Sequence, residues 1–213
     1  MPRHLILLSL LFTLGLPSHA DNRFENGTYI VSGRVDIKDA DDFVEVRQKH
    51  PVTRVLFIRS PGGAAAAGQR LFNLIQGAGI DTYVEGHCGS ACAIAFLGGK
   101  RRYFVNDEGT LFFHSPYLHG QTAPVETMKY AYIQYLEAVM NQAMPVAMRQ
   151  IFEQAKDFKA GVLFLGKRHP KFLSGEFEQT QLCNGEEQDF PNDCKRVKDF
   201  DAYSLGLVHN QAQ

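Results

Sequence analysis

Three short segments carry residue types that could act together on a carbonyl carbon. Ser60-Pro61-Gly62-Gly63 closes an apolar run, and Phe113-His114-Ser115-Pro116 sets a histidine at the end of another. Between them, Gly86-His87-Cys88-Gly89-Ser90-Ala91-Cys92 joins a strand-like stretch to a helix-like one. A serine attacks a carbonyl only when a base takes its proton and donors stabilise the oxyanion that forms. Ser90 with His114 answers the first need. The N–H groups of Gly63 and Ala91 answer the second, because a glycine pair carries no Cβ to obstruct a reactant and the first N–H groups of a helix lack intrahelical acceptors. A serine that opens a helix is, by itself, ordinary as an N-cap. A lone histidine is just as ordinary as a hydrogen-bonded surface group, and His50, His87, His119, His169 and His209 receive no role. The combination, in this order, is what points to nucleophilic catalysis.

These segments need a scaffold. Tyr29-Ile30-Val31 with Val35 reads as a strand, followed by a helix across Ala40 to Gln48. Val55-Leu56-Phe57-Ile58 is a continuous apolar run, as expected of a strand buried on both faces. Ala64 to Gln76 then shows helical spacing, and Thr82-Tyr83-Val84 reads as a strand ended by Gly86. Ser90 to Leu97 is short, apolar and rich in small residues, and Tyr103-Phe104-Val105 and Leu111-Phe112-Phe113 follow as strands. Pro124 opens a helical pattern that runs to Ala143, and a second helix follows Pro145 to about Lys156. From about residue 170 the chain reads as irregular, apart from a helix-like Asp201 to Leu205. Repeated βα units predict an α/β fold, a mostly parallel sheet covered by helices.

The 213 residues are 45% hydrophobic and 21% charged, with a formal charge of −1, and no basic cluster is interleaved with aromatics. Nucleic acid and an anionic membrane surface are therefore not expected partners. The first twenty residues have the layout of a secretory signal: Arg3, an apolar run from Leu5 to Leu16, then small residues at Ser18 and Ala20. That run is too short to span a bilayer, so residues 21–213 are expected as one exported domain without a membrane span. Four cysteines suit an oxidising compartment. Cys183 and Cys194 bracket a polar loop and are expected to staple it. Cys88 and Cys92, either side of Ser90, read equally as a second pair or as buried thiols. A zinc site is discounted, since no neighbouring Cys or His completes a tetrahedral set. Neither metal nor cofactor is expected.

Val55 to Pro116 resembles the core of ClpP, the proteolytic subunit of the Clp protease, within the ClpP/crotonase superfamily. The resemblance rests on Ser60-Pro61-Gly62-Gly63, on Gly86 to Leu97, on Gly99-Lys100-Arg101-Arg102 and on Phe113-His114-Ser115-Pro116. Elsewhere it holds only in outline. It implies a βαβ spiral with Ser90 as nucleophile, His114 as base, and Gly63 and Ala91 in the oxyanion hole. With an exported N-terminus, Cys88-Gly89-Ser90-Ala91-Cys92 is more closely similar to periplasmic ClpP-like proteins of bacteria. The family's aspartate has no counterpart in register. Aligning Phe172-Leu173-Ser174 puts Pro170 at that position, and aligning Gly206-Leu207-Val208 puts Cys194 there. Asp193 is the candidate acid, since a Cys183–Cys194 staple would position it, and Asp157 is the alternative.

The expected function is that of a periplasmic or secreted serine peptidase or acyl hydrolase, acting on peptide or small acyl substrates. Export removes it from ATP, so no ATPase partner is expected, and the long helix from Pro124 to Ala143 suits a homo-oligomer contact. Two rivals remain. One is a non-catalytic binding or assembly protein that keeps the shell of the site. The other is a crotonase-like acyl-CoA enzyme, against which both export and the Ser–His pair argue.

Overall fold

The computed structural model describes residues 22–117, 124–186 and 188–211; the expected signal segment and His119 lie outside them. β1 (Arg23–Glu25) turns back antiparallel onto β2 (Thr28–Ser32). α1 (Ile37–Lys49) starts from a reciprocal cap: the Asp36 carboxylate accepts from Lys38 N–H, while Asp39 accepts from Asp36 N–H at 2.7 Å. β3 (Arg54–Ser60), α2 (Ala65–Ala78) and β4 (Asp81–Gly89) follow, and β2, β3 and β4 lie parallel. After α3 (Ala91–Phe96), β5 (Arg102–Phe104) pairs with the first part of β4, and β6 (Thr110–His114) pairs with its last part, both parallel.

This half matches the predicted βα units, with one correction. β4 does not end at Gly86 but continues to Gly89. Between Ile58–Glu85 and Ser60–Cys88 the register with β3 slips by a residue, and Gly86 sits there at φ 73°. Gly86 therefore makes a bulge within the strand rather than a stop. The consequence is functional, because the continued strand delivers Cys88 and Gly89 to the sheet beside β6.

The C-terminal half departs from the expectation. α4 (Glu126–Met140) and α5 (Val146–Gln154) run antiparallel, tied where Lys129 Nζ donates to Ala155 O at 2.8 Å. Such a helical hairpin returns the chain to the end of the sheet it left. β7 (Gly161–Leu165) accordingly runs antiparallel to β6, pairing Gly161 with His114. A short α6 (Pro170–Leu173) precedes β8 (Thr180–Cys183) and β9 (Lys195–Val197), which extend the sheet antiparallel. The sheet, ordered β1-β2-β3-β4-β6-β7-β8-β9 with β5 beside β4, is thus mixed rather than mostly parallel. Residues from 170 onward are not irregular either, although Asp201 to Leu205 makes only a single turn, closed by Leu205 N–H on Asp201 O.

The core lies between this sheet and the helices. Tyr29, Phe57, Leu71, Phe96, Phe113 and Phe152 are fully buried within it, each contributing about 1.5–3 kcal/mol of hydrophobic stabilisation. Both cysteine pairs are bonded, Cys88–Cys92 and Cys183–Cys194. No helix of the described residues is long and apolar enough to cross a membrane.

Candidate functional site

Ser90 occupies the single residue between β4 and α3. Its backbone lies at φ 52°, ψ −124°, a conformation that costs a non-glycine residue about 1–3 kcal/mol and persists only where the surroundings impose it. Three ties impose it here. Ser90 N–H donates to Phe112 O of β6 at 2.9 Å, Ile94 N–H donates to Ser90 O at 3.1 Å, and Cys88–Cys92 bridges the turn from strand to helix. The hydroxyl is not used as a helix cap. The N-cap reading of this serine therefore does not account for its side chain.

The first glycine pair packs against this turn. A Cβ on Gly62 would lie 2.5 Å from Ser90 Cβ and 2.6 Å from Gly89 O, and Gly62 also sits at φ 100°, so only glycine serves there. Gly63 is bridged in parallel to Val35: Val35 N–H donates to Gly62 O at 2.9 Å, and Ala64 N–H to Val35 O at 3.0 Å. Alternation along such a segment turns the N–H of Gly63 away from Val35. Among the described residues it has no acceptor, nor does the N–H of Ala91 at the start of α3. Gly63 and Ser90 line the same two cavities, of about 400 and 290 Å³.

His114, the last residue of β6, is buried and lines both cavities as well. Its Nδ1 lies 2.9 Å from Ser115 O. A carbonyl only accepts, so Nδ1 carries the proton and Nε2 keeps a free lone pair. The ring sits between Phe112 and Tyr117, at centroid distances of 5.7 and 5.3 Å. Burial pushes the imidazole below the usual histidine pKa, partly offset by the bond to Ser115 O, so the neutral base is the favoured form.

The structure thus gathers Ser90, His114 and Gly63 around one space, with Ala91 buried directly after Ser90 and not among the lining residues, and with no hydrogen bond between Ser90 and His114 among the described residues. It does not gather the acids. Asp193 is exposed and accepts from the N–H groups of Gln188 and Asp189, at 3.0 and 3.1 Å. Asp157 accepts from Lys159 N–H within its own turn. Neither meets His114, and the place of an orienting acid at Nδ1 is taken by the Ser115 carbonyl.

Comparison with known proteins adds little to this geometry. No protein-family model matches the chain, and no curated protein does. Among solved structures, a mutant of ClpP1 from Listeria monocytogenes aligns with 14% identity and a TM-score of 0.44, over 61% of this chain and 78% of that one.

Sequence reasoning missed three contributors. Gly62 was not distinguished from its neighbour, although two successive glycines after a buried strand signal a close backbone approach. The Ser115 carbonyl carries no sequence signal at all. Arg34 lines both cavities yet lies 26 residues before Ser60, between Val31 and Val35 of a stretch that reads only as a strand.

Proposed function

We propose that this chain is an exported serine hydrolase of peptides or small acyl compounds, in which Ser90 is the nucleophile and His114 its general base. The observation that carries the reading is the constrained backbone of Ser90, whose uncapped hydroxyl shares its cavities with a buried, neutral histidine. Ser90 Oγ attacks the carbonyl carbon, and His114 Nε2 accepts the hydroxyl proton. The N–H groups of Gly63 and Ala91 donate to the oxyanion. The imidazolium then returns its proton to the leaving group, and water resolves the acyl-enzyme by the same route in reverse. With a carbonyl rather than a carboxylate at Nδ1, the ring is oriented but its positive charge is less well stabilised. Slower turnover than that of a full triad follows.

Export is supported by the secretory layout of residues 1–20 and by two disulfides, which suit an oxidising compartment. A homo-oligomer would use α4, which leaves Tyr130 and Met128 exposed. The missing acid favours a second reading, a binding module that keeps the site without using it. Hydrolysis of 4-nitrophenyl esters and of peptide anilides by residues 21–213 separates the two. Turnover that falls about 10⁴-fold in Ser90→Ala and in His114→Ala is the expected result. Turnover equal in wild type and Ser90→Ala would remove the assignment.

A further inference from the structure

We infer that Arg34 makes this site selective for substrates bearing a carboxylate within about one residue of the scissile carbonyl, beside an apolar group; the inference rests on the hydrolase reading above. The two cavities meet at Ser90 and His114, as the two sides of a cleaved bond would require. The larger one is apolar away from the nucleophile, lined by Ile94, Met128 and Tyr132 among others. Phe158 borders the smaller, and Tyr117, Met128 and Phe158 stay unusually exposed for side chains of their size. An apolar substituent is what such walls would cover.

Among the described residues, Arg34 is the one charged side chain lining either cavity, and no acidic residue lines them. It is exposed, and among the described residues it makes no ion pair and no side-chain hydrogen bond. Several other arginines are engaged, Arg70 with Asp41, Arg101 with Asp81, Arg149 with Glu137 and Arg102 with backbone carbonyls; Arg59 and Arg168, also without such a side-chain partner among the described residues, line neither cavity. The Arg34 backbone is also well placed, because the next residue, Val35, is fully buried and bridged to Gly63. Arg34 lines both cavities together with Gly63 and Ser90, and a guanidinium fork with no partner of its own matches a carboxylate bidentately. Water does not displace such a contact cheaply where apolar walls flank it.

Matched esters test this. In the acyl-side arm, N-succinyl-phenylalanine 4-nitrophenyl ester is compared with its N-acetyl counterpart. In the leaving-group arm, the 4-carboxyphenyl ester of N-acetyl-phenylalanine is compared with the phenyl ester. In at least one arm, wild type should favour the anion by about tenfold in kcat/KM, as a charge-assisted bond implies. That ratio should fall to near one in Arg34→Gln, recover in part in Arg34→Lys, and shrink as salt is raised. A wild-type ratio of one or below in both arms would overturn the inference. So would an equal loss on both members of each pair in Arg34→Gln, which would mark a role in the chemistry instead. Ser90-dependent hydrolysis without charge preference defeats this inference alone. Absence of Ser90-dependent hydrolysis on every ester defeats the hydrolase reading and this inference with it.

Discussion

At the scale of single residues, His114 sets the pH behaviour. Burial disfavours its imidazolium, so its pKa lies below the ordinary value of about 6.5. The base works when neutral, and kcat/KM should therefore rise with pH through an acidic inflection and be flat by neutrality. A carboxylate partner would shift that inflection upward, so an inflection above the ordinary value would contradict the carbonyl-oriented dyad. The same geometry predicts that Asp193→Asn and Asp157→Asn each change turnover by less than about twofold, against the roughly 10⁴-fold that a triad acid is worth. Ser90 offers a further check through its backbone. Glycine accepts φ 52° without strain whereas alanine does not, so Ser90→Gly should be more stable than Ser90→Ala by about 1 kcal/mol in urea unfolding. Equal stabilities would mean that the turn is not constrained as described.

At the scale of elements, the site depends on the turn from β4 into α3 and on what braces it. Cys88–Cys92 closes a loop spanning four positions, a constraint worth about 2 kcal/mol by loop entropy alone. Replacing both cysteines by serine should lower unfolding stability by about that amount and lower kcat more than KM, because the nucleophile loosens. The parallel half of the sheet was legible because short apolar or aromatic runs, such as Val55 to Ile58 in β3, alternate with stretches of helical spacing. That Ser90, His114 and Gly63 come together was legible because parallel strands end on one side of a sheet, which brings their C-terminal segments together. The second half was less so, for identifiable reasons. β8 buries Thr180 and Gln181 completely, so hydropathy does not mark it. Thr180 is satisfied by donating its hydroxyl to Phe200 O at 2.6 Å, a partner twenty residues away that no local pattern discloses. β7 is a continuous buried run from Gly161 to Leu165 and carries an apolar signal like that of Val55 to Ile58 in β3, but such a run does not disclose that it pairs antiparallel with β6. Asp193 is not brought to His114: the Cys183–Cys194 staple fixes the loop to the end of β8, and the carboxylate accepts from the loop's own backbone.

At the scale of the whole molecule, the C-terminal tail closes the sheet's helical face. Leu205, Leu207 and Val208 are buried in the main core. Arg102 clamps the tail, donating from Nε to Leu207 O at 2.9 Å and from Nη2 to Gly206 O at 2.6 Å. Those three side chains represent about 5 kcal/mol of burial, comparable with the whole stability of a small domain. A chain stopped after Asp201 should therefore lose its cooperative urea transition, although the deleted residues touch neither Ser90 nor His114. A truncated chain that unfolds cooperatively at the wild-type midpoint would show that the tail is an accessory.

The central claim is that Ser90 is an activated nucleophile, and mapping a covalent adduct tests it most directly. Residues 21–213 are incubated with a fluorophosphonate, digested, and sequenced by mass spectrometry. The account predicts a single phosphonylated residue, Ser90, with labelling abolished in Ser90→Ala and slowed at least a hundredfold in His114→Ala. An adduct on another serine, or labelling of intact wild type no faster than that of the urea-unfolded chain, would contradict it.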